Sequence, residues 1–448
     1  MKNIFLIGAG RSTVSLIHYL SELAEAGGLQ ITVGELIIDN AKKQIAGLPH
    51  CEAVSFDVNN DIQRVSRISN ADIVISMLPA HMHVPVAKDC IALKKPMVTA
   101  SYVSQEMKEL HKDAQEAGVL ILNEMGVDPG IDHMSAMKVI DDIKNAGGEM
   151  IQFESFTGGL VAPESDDNPW NYKFTWNPRN VVLAGAGGAV KFIQEGKYKY
   201  IPYHQLFRRT EIIEVEGYGS FEGVANRDSL AYRETYGLQD IPTLYRGTLR
   251  RPGFSRAWDV FVKLGATDDS YVIEDSDSMT YREFINLFLA YNPHDSVELK
   301  LMHYLKIDAD DDIMLKLKWL GIFEDTIVGL KNATPAQILE HILKQKWSMK
   351  PEDRDMIVMH HIFGYSLNGV KKQIESNMVT KGKDMNNTAM ARTVGIPVGI
   401  GVKMILNKTI TSPGVRVPVT RDIYEPVLKE LERYDISFSE RETEFKHY

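Results

Sequence analysis

The side chains best suited to chemistry crowd into one run, Asn123-Glu-Met-Gly-Val-Asp-Pro-Gly-Ile-Asp-His133, which holds three acids, a histidine, two glycines and a proline. Groups of this kind take up, release and relay protons. Pro129 presets φ for the first central position of a turn and Gly130 supplies a positive φ for the second. That turn presents Asp128 just ahead of a helix expected to begin near Ile131, with Met134, Met137 and Ile140 on its apolar face. A carboxylate beside a helix N-terminus suits a hydrogen-bonding or proton-accepting role. Asp132 reads as an ordinary first-turn acid, and His133 reads equally as a structural histidine or as part of a site.

A second candidate lies at the chain start. Ile4-Phe-Leu-Ile7 is a short apolar run ending in Gly8-Ala-Gly10-Arg-Ser-Thr13, and helical spacing follows from Ser12 to about Ala26. Glycines between a strand and a helix let a pyrophosphate approach backbone N–H groups at the helix N-terminus. Gly8, Ala9, Gly10, Arg11, Ser12 and Thr13 are therefore candidate dinucleotide-binding residues, with Thr13 standing in for the usual third glycine. Glu35 closes the next strand. An acid there accepts hydrogen bonds from ribose hydroxyls and repels a 2′-phosphate, which favours NAD over NADP; Asp39 is the alternative occupant, with the same preference. A rival glycine run, Gly185 to Gly188, lacks a convincing strand before it and reads as a packing or turn segment.

The elements that must carry these groups alternate regularly over the first 125 residues. Apolar runs fall at Gln30 to Gly34, Ala53 to Phe56, Ile73 to Met77, Met97 to Ala100 and Val119 to Leu122, with helix-like segments such as Pro85 to Lys95 and Ser104 to Ala117 between them. Continuous apolar strands joined by helices predict a doubly wound α/β domain, a parallel sheet covered on both faces. Ligands bind beyond the carboxyl ends of such strands. The fourth strand ends in Met77-Leu-Pro79-Ala-His-Met-His83, the fifth in Thr99-Ala-Ser101-Tyr102 and the sixth in Asn123-Glu124, so the acidic run sits on the rim where a nicotinamide belongs. Beyond residue 126 the pattern is mixed: a hairpin over Met356 to Thr380 turning at Asn368-Gly369, helices over 280–350 with Thr334 as N-cap and Pro335 at the first position, and an amphipathic helix over Tyr424 to Tyr434.

Other polar clusters look purposeful. Ala162 to Trp176 (APESDDNPWNYKFTW) packs acids, amides and aromatics into an irregular loop, while Arg227 lies in ANRDS and Arg250 and Arg251 in GTLRR. Arginines recognise carboxylates through planar, bidentate pairs. Asp308, Asp310 and Asp312 imitate a calcium loop, but Ile313 and Trp319 stand where glycine and glutamate are needed, so no metal is expected. The net charge of −10, without a block of basic residues, argues against nucleic acid. The sole cysteines, Cys51 and Cys90, fit a reducing cytoplasm. The longest apolar run, Val394 to Leu406, is interrupted by Pro397 and Lys403, so a soluble, cytoplasmic protein without a membrane span is expected.

Several segments together are specific. SYVS (Ser101 to Ser104), NEMGVDPGIDHMSAMK (Asn123 to Lys138), GGLVAPESDDNPWNYKFTW (Gly158 to Trp176), NRDS (Asn226 to Ser229), RGTLRRPGF (Arg246 to Phe254) and KWLGIF (Lys318 to Phe323) make the chain resemble the saccharopine reductase family, the glutamate-forming saccharopine dehydrogenases. The resemblance runs through nearly the whole chain with the motifs in order. It implies oxidation of the secondary amine of saccharopine to glutamate and 2-aminoadipate 6-semialdehyde with NAD or NADP, or the reverse. It also implies a variant Rossmann domain (1–125 and 392–448), a mixed α/β substrate-binding domain that forms a homodimer (126–279 and 353–391) and a small helical domain (280–352). Carried over by motif, Ser101, Tyr102, Asp128, Arg227, Thr248, Leu249 and Arg250 would contact substrate, with Tyr102 and Asp128 handling protons. Ala9 to Ser12, Glu35, Asp57, Val58, Ala100 and Ser101 would line the dinucleotide. Members with this activity commonly use NADP, whereas Glu35 argues for NAD; Thr157 stands where some relatives carry a cysteine. The alternatives are a carboxynorspermidine synthase-like coupling of a diamine to aspartate semialdehyde and a non-catalytic dinucleotide sensor.

Overall fold

The computed structural model describes residues 2–184 and 188–445, and the chain forms two compact units. The first comprises Met1–Met150, Tyr365–Lys372 and Met378–Glu442; the second comprises Ile151–Gly364, Gln373–Asn377 and Thr443–Tyr448. Most of the Gly185 to Gly188 run lies outside the described residues.

The first unit is built on a parallel sheet. Its strands β1 (Lys2–Ile7), β2 (Leu29–Glu35), β3 (Cys51–Ser55), β4 (Ile73–Ser76), β5 (Met97–Val98) and β6 (Leu120–Leu122) are the apolar runs expected from sequence. The short strand Gly414–Arg416 adds beside β6, and the order across the sheet is Gly414–Arg416, β6, β5, β4, β1, β2, β3. Every neighbouring pair is parallel. Strands β4, β5 and β6 are buried along their whole length, as helices on both faces require. From β1 the chain winds outward to β3 and then returns to β4 on the other side, and this reversal opens the crevice in which such sheets bind ligands.

One of the covering helices, Ala389–Leu406, contains the apolar stretch noted above. It is long and apolar enough to cross a membrane by composition, yet 72% of that stretch is buried within the protein. Its glycines explain the burial. A Cβ on Gly399 would come within 2.4 Å of the Tyr19 ring, and one on Gly395 within 2.9 Å of the Leu16 backbone nitrogen. The helix therefore lies against Val14–Gly27 more closely than larger residues permit.

The helix after Asp128 spans Ile131–Asn145 and buries Met134, Met137 and Ile140 as expected. It packs on the helix Arg421–Leu431, where the Tyr424 hydroxyl donates to Asp141 Oδ2 at 2.7 Å. Residues 126–150 belong to the first unit, and the helical region 280–352 lies within the second.

The strands β7 (Glu149–Val161), β8 (Val190–Gln194), β9 (Lys197–Ile201), β10 (Thr210–Val215), β11 (Gly219–Ala225), β12 (Thr243–Arg250), β13 (Asp355–Leu367) and β14 (Val370–Lys381) build a mixed sheet. Its main path runs β10, β11, β12, β7, β13, β14 and then the strand Ser439–Glu444, with β8 pairing β12 and β9. The β13–β14 turn falls at Asn368-Gly369, both at positive φ (52° and 78°), as the favoured two-residue hairpin turn demands. Helix Pro335–Trp347 starts with Thr334 and Gln337 capping each other's backbone N–H groups. Trp170, Trp258 and Trp347 are buried and pack with Phe254 and Phe261.

Candidate active site

The glycine loop follows β1 directly. Gly8 has φ +100°, and a Cβ there would meet the Met77 carbonyl oxygen at 2.8 Å, so only glycine lets β1 and β4 leave the sheet this close together. A Cβ on Gly10 would meet nothing within 4 Å. That open space, at the start of the helical turn Arg11–Thr13, is where a pyrophosphate would approach the backbone. Arg11 is exposed and Ser12 half-buried beside it. Thr13, by contrast, is turned inward: it is buried, with Oγ1 2.7 Å from the Gly10 carbonyl and 2.8 Å from Gln44 Oε1. Its side chain therefore shapes the loop. Gln44, missed from sequence, donates from Nε2 to the carbonyls of Ala9 (2.6 Å) and Gly10 (3.0 Å).

Glu35, at the end of β2, accepts the Ala9 N–H on Oε2 at 2.7 Å, so its carboxylate is fixed against the loop. Asp39, the alternative acid, is exposed in the following helix and lies 3.7 Å from the Lys42 ammonium. Asp57 and Val58 follow β3 in a turn closed by Asp57 Oδ1 on the Asn59 N–H (2.9 Å) and by Arg64 Nη1 on the Val58 carbonyl (2.6 Å). Arg64 is itself held by Asp61 and Asp89. The residues assigned to the dinucleotide thus line the carboxyl ends of β1, β2 and β3, with Ala100 and Ser101 following β5.

On the rim beyond β4 to β6, His83 is buried with Nδ1 2.8 Å from Ser76 Oγ. Burial, with His81 nearby, pushes its pKa down to about 4, so it is neutral at physiological pH. Tyr102 and Asp128 meet here: the hydroxyl lies 3.3 Å from Asp128 Oδ1 and 3.5 Å from the Asp128 carbonyl. From Val119 to Met137 every residue is buried except Asp128. The acidic run Asn123 to His133 therefore presents a single carboxylate and turns the others inward. Gly130 has φ +149°, and a Cβ there would overlap the Gly126 backbone. The Asp128–Pro129 peptide bond is cis, which differs from the turn expected from sequence.

The second unit carries the arginines. Arg227 follows β11 at φ +50° and is exposed. Thr248, Leu249 and Arg250 end β12. The Arg250 guanidinium lies over the rings of Tyr172 (5.1 Å) and Phe254 (5.4 Å), and its Nη1 donates to the Leu249 carbonyl at 2.8 Å. The Leu249 side chain is fully buried, so it contributes shape and a carbonyl rather than a reactive group. Thr157 pairs in register with Thr248, and its hydroxyl is buried with no hydrogen-bond partner among the described residues. The loop Ala162 to Trp176 turns out to be structural in large part. Lys173 is buried between Asp353 (2.7 Å) and Asp167 (2.9 Å), and the Trp170 ring nitrogen donates to the Lys316 carbonyl.

The family description Saccharopine dehydrogenase NADP binding domain matches residues 4–122, and Saccharopine dehydrogenase C-terminal domain matches residues 126–436. The chain belongs to the saccharopine dehydrogenase family. It is 33% identical to the saccharopine dehydrogenase [NADP(+), L-glutamate-forming] of Pyricularia oryzae, covering 98% of this chain and 99% of that protein. It is also 33% identical to the mitochondrial alpha-aminoadipic semialdehyde synthase of Mus musculus, where it spans 48% of the longer protein. The solved apo saccharopine dehydrogenase (L-Glu forming) of Saccharomyces cerevisiae superposes with a TM-score of 0.89 at 31% identity over 99% of this chain. The fold expected from the family is thus the fold found, a Rossmann-like parallel sheet plus a mixed-sheet unit.

Proposed function

We propose that this protein is a glutamate-forming saccharopine dehydrogenase, interconverting saccharopine, NAD(P)+ and water with L-glutamate, 2-aminoadipate 6-semialdehyde and NAD(P)H in lysine metabolism. The observation that carries this reading is the Tyr102–Asp128 pair on the ligand-binding rim of a chain similar over its full length to enzymes of that name. Asp128 Oδ1 takes a proton from the secondary ammonium, which frees the nitrogen lone pair and makes the adjacent carbon a hydride donor. The bound dinucleotide supplies the hydride acceptor. Tyr102, hydrogen-bonded to the same carboxylate, orients it and passes the proton back as water adds to the imine and the carbinolamine collapses. Arg227 and Arg250 hold substrate carboxylates; Arg250 is suited to this because its two flanking rings fix the guanidinium plane.

The glycine loop and Glu35 fit a nicotinamide dinucleotide, and Glu35 leads us to NAD as the preferred form. Its carboxylate is anchored by the Ala9 N–H, so it cannot swing aside to admit a 2′-phosphate without losing that bond. Turnover of the purified protein with saccharopine, measured as nicotinamide reduction with NAD and then with NADP, tests both parts. Reduction faster with NAD supports both; reduction with NADP alone keeps the enzyme and removes the Glu35 argument. No reduction with either cofactor removes the assignment.

A further inference from the structure

Glu124 adopts φ +58°, a left-handed backbone that few residues other than glycine accept. Positions of this kind persist where the side chain is needed. Both ends of Glu124 grip the residues flanking Tyr102. Its backbone N–H donates to the Ser101 carbonyl at 3.1 Å, and its Oε1 accepts the Val103 N–H at 2.9 Å. Tyr102 is therefore bracketed by two bonds from one residue.

The other carboxylate oxygen leads toward Asp128. Glu124 Oε2 lies 2.8 Å from His133 Nε2, with Glu124 almost and His133 fully buried. His133 Nδ1 faces Asp132 Oδ2 at 3.7 Å, and Asp132 Oδ1 accepts the Gly130 N–H at 2.6 Å. The Asp132 and Ile131 N–H groups donate to the carbonyls of Val127 and Gly126, closing the turn on the near side of Asp128. The chain of contacts thus starts at the residue after Tyr102 and ends two residues past Asp128.

We propose that Glu124 and His133, with Asp132, form a buried brace that sets the Tyr102–Asp128 separation, and so act as positioning residues for the proton-handling pair. The proposal rests on the assignment of Tyr102 and Asp128 to proton transfer. Buried ionisable groups are costly unless paired and hydrogen-bonded, and three of them gathered behind the half-buried Asp128 carboxylate are better explained by the precision they lend that carboxylate than by stability. Displacing a catalytic group by about 1 Å costs on the order of 100-fold in rate, so a brace of this kind has an effect large enough to measure.

The test is a double-mutant cycle on the full-length enzyme. Glu124→Gln keeps the shape and an acceptor for Val103 but alters the contact with His133. Glu124→Gly, which suits the left-handed backbone, removes the side chain and serves if the first variant does not fold. Either is expected to lower kcat for saccharopine oxidation by roughly 10- to 100-fold, while the affinity for reduced dinucleotide, read by its fluorescence, stays within about twofold. In a Tyr102→Phe background the same substitution is expected to cost about twofold or less, because the group it positions is gone. An equal loss in both backgrounds overturns the brace and leaves the proton-handling assignment standing. Wild-type rates for both Tyr102→Phe and Asp128→Asn overturn that assignment and the brace with it.

Discussion

Two stretches of this chain are dense in acids, amides and aromatics, and they use them differently. In Asn123 to His133 the inward-facing groups Glu124, Asp132 and His133 stand behind one reachable carboxylate, Asp128, with a tyrosine hydroxyl beside it. In Ala162 to Trp176 the charged groups close on one another: Lys173 is shut between Asp353 and Asp167, and Lys350 also pairs with Asp167. The Lys350 and Lys173 ammonium groups hold the Asp167 pKa down to about 2. The first stretch spends its polar groups to aim a side chain, the second to anchor a loop. Density of polar residues alone does not separate the two; what separates them is what the buried groups hold: Glu124, His133 and Asp132 tie to one another and to the turn that carries Asp128, whereas Lys173 closes on Asp353 and Asp167.

The largest effect belongs to the aimed carboxylate. Asp128→Asn should lower kcat by roughly 100- to 10,000-fold, the range of general acid–base catalysis, with thermal stability and dinucleotide affinity close to wild type. An unchanged kcat would place Asp128 with the anchoring residues and dissolve the contrast. Lys173→Met should do the opposite. Removing one member of a buried ion pair leaves the other uncompensated, at a loss of about 3–5 kcal/mol in stability, visible as a lower denaturant midpoint. Here kcat measured well below the transition should change little. A loss of kcat without a loss of stability would show the loop to be part of the chemistry after all.

The same distinction governs what could be read before the fold was known. The strands β1 to β6 are short apolar runs with turn residues between them, a local pattern, and all six form where the sequence places them. The Gly8 and Glu35 positions follow from that register. The partners of Lys173 and Tyr424 do not: Asp353 lies 180 residues from Lys173, and Asp141 lies 283 residues from Tyr424. No local period announces such a contact. The placement of Ile131–Asn145 in the first unit depends on the second of them, and the structural role of Ala162 to Trp176 on the first. Gln44 was invisible for the same reason, since an exposed-looking amide in a lysine-rich helix acquires meaning only when the glycine loop folds over it. The inward direction of the Thr13 side chain was hidden too, because the motif names positions and not where a side chain points.

Glu35 extends the comparison to the cofactor loop, where a carboxylate anchors the Ala9 N–H and, on the proposed reading, also selects between the two dinucleotides. Glu35→Ser should move the NAD to NADP ratio of kcat/KM toward NADP by roughly 10- to 100-fold, since like charges set against each other cost several kcal/mol when partly desolvated. Most of the change should fall on the KM for NADP. A ratio that stays fixed would make Glu35 purely an anchor for Ala9.

His83 offers the smallest and most graded effect, because it lies on the aimed side of the molecule yet behaves as an anchor. Its folded pKa is lowered to about 4 by burial, against 6.5 for the free side chain. Between those values the unfolded chain binds a proton that the folded chain refuses, so stability falls as pH drops from about 6.5 toward 4, by at most about 1.4 kcal/mol per pH unit for this one group. Above pH 6.5 the group is neutral in both states and contributes no slope. His83→Asn removes the titration and should flatten this part of the stability-against-pH curve, read as the difference between wild-type and variant midpoints across that window. The kcat of the variant at neutral pH decides the rest. If it is unchanged, His83 only holds Ser76 and the end of β4; if it falls with cofactor affinity intact, the neutral imidazole belongs with Tyr102 and Asp128 among the aimed groups.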